Sequence, residues 1–164
     1  NPLEELVSQI KADGGDANGI PCDARDEEAV IEMFDRVEKE VGSVEVVVFN
    51  TGAQHRCSIL NMTARVYRQV WESATIAGFI AGREAARRMV VRGRGTILFT
   101  GATASVRGGA NFASFASAKH ALRALAQSMA RELGPKGIHV GHIIVDGMKC
   151  FGHTSFINSL EFVI

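Results

Sequence analysis

Apolar residues recur along this chain at two alternating periods. Leu3, Leu6, Val7 and Ile10 fall on one face of a helix that opens on Pro2 with the acids Glu4 and Glu5 and stops at Gly14-Gly15. A short, weakly patterned strand is expected at 19–23, after which Asp26 caps a second helix carrying Val30, Phe34, Val37 and Val41 as far as Gly42. Residues 44–49 read V-E-V-V-V-F, a β-branched run with almost no polar alternation, as in a strand covered on both faces. The helical period returns over 62–91, where Val66, Val70, Ala74, Ala77, Ala81, Ala85 and Met89 form one stripe. An apolar strand at 96–99 leads through a loop of small residues into another long helix at 113–133, with Ala118, Leu122, Leu125, Met129 and Leu133 inward. Gly134-Pro135 ends it, and a last strand is expected at 138–145.

Strand, helix, strand, helix, strand predicts an α/β protein with a parallel sheet wound by right-handed crossovers. With no internal repeat and no linker of unusual composition, residues 1–164 read as a single domain.

Composition adds exclusions. An apolar fraction of 46% against 22% charged residues is that of a folded globular chain. Eighteen basic residues balance eighteen acidic ones, so no broad positive field exists to hold a nucleic acid. Arg83, Arg87, Arg88, Arg92 and Arg94 stand at helical spacing and read as a solvated helix end. No apolar run approaches the ~20 residues of a membrane span and no leader pattern opens the chain, so a soluble, cytoplasmic protein is expected, with no membrane partner. Cys22, Cys57 and Cys150 read as thiols. No metal site is expected: His139 and His142, three apart on one strand, face opposite sides of the sheet, and His55 with Cys57 lacks a partner set.

In open parallel sheets ligands sit beyond the carboxyl ends of the strands, here the loops starting at Asn50, Thr100 and Asp146. Between Asp23 and Asp146 the chain resembles the short-chain dehydrogenase/reductase family in the order and spacing of several motifs. Asp23 follows the weak strand, Phe49-Asn50-Thr51-Gly52 stands where the family has Asn-Asn-Ala-Gly, and Phe115 to Lys119 stands where it has Tyr-x-x-x-Lys. The resemblance implies a Rossmann-like, doubly wound sheet in three layers (α/β/α) that binds NAD or NADP. A hydride would pass between the nicotinamide and a small carbonyl or alcohol. It further implies that Asp23 approaches the adenine, that Asn50 and Gly52 line the adenosine ribose side, that Thr100 lies at the site, and that Lys119 holds the nicotinamide ribose. Positions 115 and 119 share a helix face, as that arrangement requires. Family members also pair their two long helices into dimers or tetramers, which points to Ala126 and Ala130 as small, exposed contact residues.

The departures fall on the chemistry. Phe115 replaces the tyrosine that exchanges a proton with the substrate oxygen, and a phenyl ring has no ionisable group. Ala102 stands at the family's serine, flanked by Thr100 and Thr103, and Thr75 stands where an asparagine helps hold a water. Only Lys119 remains of that set. Ser114 and Ser117 are the nearest candidates for a replacement acid. The Gly-rich TGxxxGxG turn that would take the pyrophosphate is absent from the sequence, which therefore reads as part of a longer, incomplete sheet. Two functions are expected from this: an oxidoreductase with an altered active site, or a catalytically impaired cofactor-binding or interaction subunit. A bare fragment is the third expectation.

Overall fold

The computed structural model describes residues 2–145 and, for the backbone, 160–163; the expected loop residue Asp146 and the thiol Cys150 lie outside the described residues. In chain order the elements are α1 (Pro2–Ala12), β1 (Gly19–Cys22), α2 (Glu27–Glu40), β2 (Val46–Phe49) and α3 (Ala64–Trp71). They are followed by a π-helical segment (Glu72–Ile76), α4 (Ala77–Arg92), β3 (Gly95–Ala102), α5 (Ala113–Leu133), β4 (Ile138–Val145) and β5 (Leu160–Val163). Helix starts follow local chemistry: Asp26 accepts a hydrogen bond from the Ala29 amide at 3.1 Å, and Thr63 accepts one from Val66 at 3.3 Å.

Strands β2, β3 and β4 form a parallel sheet in that order, with Phe49 opposite Phe99 and Phe99 opposite His142. The connections through α3–α4 and through α5 give the Rossmann-like α/β fold. One face of this sheet packs under α4 and α5, burying Phe49, Ile97, Phe99, Leu122, Met89 and Ile138 almost completely. The Phe49 and Phe99 rings lie 6.1 Å apart and tilted, an edge-on aromatic packing. Side chains alternate across a strand, so Val46, Val48, Ile143 and Val145 point to the opposite face and are about half exposed.

Three expectations are corrected. The helix over 62–91 is interrupted: Glu72–Ile76 is wound as π-helix between α3 and α4, although its stripe of Val70, Ala74, Ala77, Ala81, Ala85 and Met89 is wholly buried. One added residue in a helix turn is enough to make such a bulge. β1 pairs antiparallel with β5 in a separate ladder, and β2 has no partner on its outer edge among the described residues. Ala126 is only 2% exposed and packs into the core, so it is not the exposed contact residue expected, while Ala130 is partly buried against the same core.

Of the arginine cluster, Arg87 and Arg94 are solvated as expected, whereas Arg83, Arg88 and Arg92 are drawn into an ion-pair lattice. Glu84 on α4 is 3% exposed and receives Arg87 at 2.8 Å, Arg88 at 3.0 Å and Arg83 at 3.0 Å. Arg88 also reaches Asp35, Arg92 reaches Glu38 at 3.1 Å and Arg83 reaches Glu27 at 2.6 Å, which ties α4 to α2. Burial alone would raise the Glu84 pKa, but the bonds from Arg88 and Arg83 outweigh it and hold the carboxyl below the usual range. Its contribution is therefore present at neutral pH and lost as pH falls through that lowered value. Glu84→Gln should destabilise the fold by about 2 kcal/mol in urea titration at pH 7, with the difference shrinking in acid.

Candidate active site

The site forms where β2 and β3 end beneath the first turns of α5. Lys119, on α5, is 5% exposed, and its ammonium donates a 2.8 Å hydrogen bond to the Thr100 carbonyl at the end of β3. From the β2 side Gly52 closes against it: a Cβ at position 52 would sit 3.3 Å from Nζ. Only a glycine lets the loop approach a buried ammonium this closely without displacing it. No carboxylate pairs with Lys119 among the described residues, and desolvation pushes its pKa down from 10.5 to about 8. An ammonium carries three donors, and one is used.

Phe115 lies one turn earlier on α5 with its ring centroid 5.9 Å from Nζ, a cation–π distance. Ala102, half-buried at the end of β3, gives its amide to the Ser105 hydroxyl at 3.1 Å and offers no hydroxyl of its own. Thr75 lies in the π segment, 7% exposed, and donates to the Ala118 carbonyl at 3.1 Å, beside Lys119 in sequence. Thr100, Gly52, Lys119 and Phe115 are thus brought together, Thr75 packs behind them, and Asn50 is exposed at the mouth of β2. Asp23 is not brought to this group. It sits after β1, outside the β2–β3–β4 ladder, with Arg25 gripping both carboxylate oxygens at 2.6 to 3.2 Å. That pairing lowers the Asp23 pKa.

Ser114 and Ser117 are not presented as substitutes for the missing phenol. Ser114 is fully buried with no hydrogen-bond partner for its hydroxyl among the described residues. The Ser117 hydroxyl accepts from Tyr67 at 2.8 Å and donates to the Ser114 carbonyl at 3.0 Å.

Two residues here escape sequence reasoning. Ser105 is fully buried and supports the end of β3 through the Ala102 amide. His142, on β4, lies over Gly101 of the neighbouring strand, so closely that a Cβ at 101 would collide with the imidazole. Its Nε2 is buried and unpartnered; burial, with Lys119 and Arg123 nearby, lowers its pKa. The glycine opposite is the signal that was available, but it is visible only once the strand register is known. Among the described residues no three His, Cys, Asp or Glu side chains are grouped to hold a metal, and no helix is long and apolar enough to cross a membrane.

The residues present fit one end of a dinucleotide. Gly52 brings bare backbone against an ammonium with two donors unused among the described residues, and such donors suit ribose hydroxyls.

Residues 1–155 match the family model for short chain dehydrogenases. A 3-oxoacyl-[acyl-carrier-protein] reductase, MabA of Mycobacterium avium, is 30% identical over 150 residues, 88% of this chain and 59% of that protein. The crystal structure of a short-chain dehydrogenase from Rhodopseudomonas palustris is 52% identical with a TM-score of 0.83, covering 87% of this chain and 67% of that one. An NAD+-bound xylitol dehydrogenase, 27% identical, superposes with a TM-score of 0.86 over 90% of this chain and 58% of its own. The chain spans between 51% and 61% of the length of the curated relatives MabA and the trihydroxynaphthalene reductase PfmaI. With its strand order, its buried lysine and a family match over nearly all its residues, the chain belongs to the short-chain dehydrogenase family.

Proposed function

We infer that this chain carries the nicotinamide-side half of an NAD- or NADP-dependent oxidoreductase with an altered catalytic set. The observation that carries this reading is the Lys119 ammonium, buried between Gly52 and Thr100 with, among the described residues, no counter-ion and two free donors. Desolvating a cation without a carboxylate costs stability, and such a cost is retained where the charge is used. The dinucleotide would supply or accept the hydride. Lys119 would hold its nicotinamide ribose, Gly52 would admit the ring close to the strand ends, and Asn50 would line the mouth. Thr100 would orient the ammonium through its carbonyl, and Thr75 would fix α5 against the π segment. Asp23, already held by Arg25, serves an adenine only as the acceptor face of that pair.

A second reading is favoured by Phe115 and Ala102: a subunit that binds the cofactor but transfers hydride poorly, because no proton donor stands at the substrate oxygen. Both readings take a small carbonyl or alcohol as ligand, a cytoplasmic setting, and pairing of copies through α3 and α5, where Tyr67 and Trp71 are half exposed.

Calorimetric titration of NADH and NADPH into the protein tests the shared claim. Saturable binding that weakens about 10- to 100-fold in Lys119→Gln is expected, the loss corresponding to hydrogen bonds from a charged donor. Absence of binding to both dinucleotides would sink both readings.

A further inference from the structure

The cations of this molecule are divided between those with carboxylate partners and those without, and the division follows the sheet. At the amino ends of the strands Arg92 meets Glu38 at 3.1 Å and Arg94 meets Glu45 at 3.0 Å, while Glu84 collects Arg83, Arg87 and Arg88. At the carboxyl ends of β2 and β3 the pattern reverses. Residues 46–71 and 85–131 contain no aspartate or glutamate, and they supply the loops after both β2 and β3, all of α3, and α5 up to its last two residues. The chain has zero formal charge as a whole, yet the loops after β2 and β3 and the first turns of α5 carry Arg56, Arg107 and Lys119 with no acid among them.

Arg56 is the best placed. Its guanidinium lies 5.6 Å from the centre of the Phe112 ring, one turn before Phe115. The two loops are fastened beside it by the Cys57 amide donating to the Asn111 carbonyl at 3.0 Å, with Asn111 in the left-handed region at φ 68°. Arg56 and Arg107, the latter on the loop between β3 and α5, are both exposed, and neither makes an ion pair among the described residues. A guanidinium fixed by stacking keeps its donor fork free and preorganised for a planar anion. Phe112 precedes Phe115 by three residues, about one helical turn, so the stacked guanidinium stands toward the amino end of the helix that carries Phe115 and Lys119.

We propose that the substrate of this site is an anionic carbonyl compound or its alcohol, bearing a carboxylate or phosphate that Arg56 grips and Arg107 attracts. This deepens the oxidoreductase reading and rests on it for the reacting carbonyl.

The test measures binding, by 15N–1H chemical-shift titration, of three oxo acids with increasing separation of the two groups against their methyl esters: pyruvate, acetoacetate and levulinate. Dihydroxyacetone phosphate against dihydroxyacetone forms the phosphate arm, and decides between the two anions. At least one anion should bind about tenfold or more tightly than its neutral partner, with shifts at the 54–57 and 107–112 amides. Arg56→Gln should erase that preference, and Arg107→Gln should lessen it, with melting curves confirming that both variants fold. Equal affinity of every anion and its neutral partner overturns the proposal, as does a preference that survives in the double variant. NADH binding is followed in parallel: its absence alongside intact anion selectivity refutes the cofactor reading and spares this one.

Discussion

Lys119→Met should make the protein more stable at pH 7, by about 2 kcal/mol, while removing the group proposed to hold the cofactor. The folded-state pKa of Lys119 falls from 10.5 to about 8 through burial, which corresponds to a cost of about 3 kcal/mol for keeping the charge inside. Methionine matches the stem, fills the space and needs no solvation. Loss of the bond to the Thr100 carbonyl returns about 1 kcal/mol. The pH dependence gives the sign independently. Below pH 8 the folded and unfolded chains both hold the proton and the full cost is present. Between 8 and 10.5 the folded chain has released it while the unfolded chain has not, so stability climbs with pH across that window. The variant should lose this rise, and the two curves should converge above it. Urea unfolding from pH 7 to 10.5 measures both. A variant less stable than the parent at pH 7 would mean that the ammonium holds the fold together rather than serving the site.

How much of this was legible in the sequence depended on distance along the chain. The helix 113–133 and the strand 138–145 are marked by their own residues, with Gly134-Pro135 as punctuation, and they occur where the pattern puts them. Val41 carries the helical period of α2 but lies past its end and is 56% exposed, because the pattern cannot see where the last turn stops. The π segment reads E-S-A-T-I, residues equally at home in α-helix, so only packing against α5 reveals the extra residue there. β1 has a local signal too weak to name its neighbour, and its pairing with β5 joins residues separated by most of the chain.

The site divides in the same way. Phe115 and Lys119 meet because i and i+4 share a helix face, a local rule. Gly52 and Thr100 meet Lys119 because β2 and β3 are adjacent and parallel, which the fold class implies. Ser105 and His142 required more. The alternation of the strand placed His142 and His139 on opposite faces, but that His142 lies over Gly101 follows from the β3–β4 register. Arg83, Arg88 and Arg92 were misread for a related reason: their acidic partners Glu27, Asp35 and Glu38 belong to another helix, and no spacing rule within α4 could supply them.

Phe115→Tyr should raise carbonyl-reducing turnover by about 10²- to 10⁴-fold, the range a positioned general acid contributes. The ring already lies with its centroid 5.9 Å from the Lys119 ammonium, so a hydroxyl added to it enters the field of a buried cation. At ~6 Å and an effective dielectric of ~20, that cation stabilises a phenolate by about 3 kcal/mol, enough to draw the phenol pKa toward neutrality. Phe115 is only partly buried and belongs to neither buried core cluster, so a tyrosine there does not unpack them. Ala102 would still lack a hydroxyl to hold the substrate oxygen, so Ala102→Ser added to Phe115→Tyr should increase the rate further, whereas Ala102→Ser alone should do little. Rates are read as NADH or NADPH oxidation with the oxo acids and phosphate named above, against the parent and against Phe115→Leu. A gain in the tyrosine variant from a parent with no measurable turnover favours the impaired-subunit reading; a parent already turning over, with Phe115→Tyr unchanged, shows that another group supplies the proton. If a folded, dinucleotide-binding double variant remains as slow as the parent, the missing phenol is not what limits this site, and the geometry around Lys119 serves binding alone.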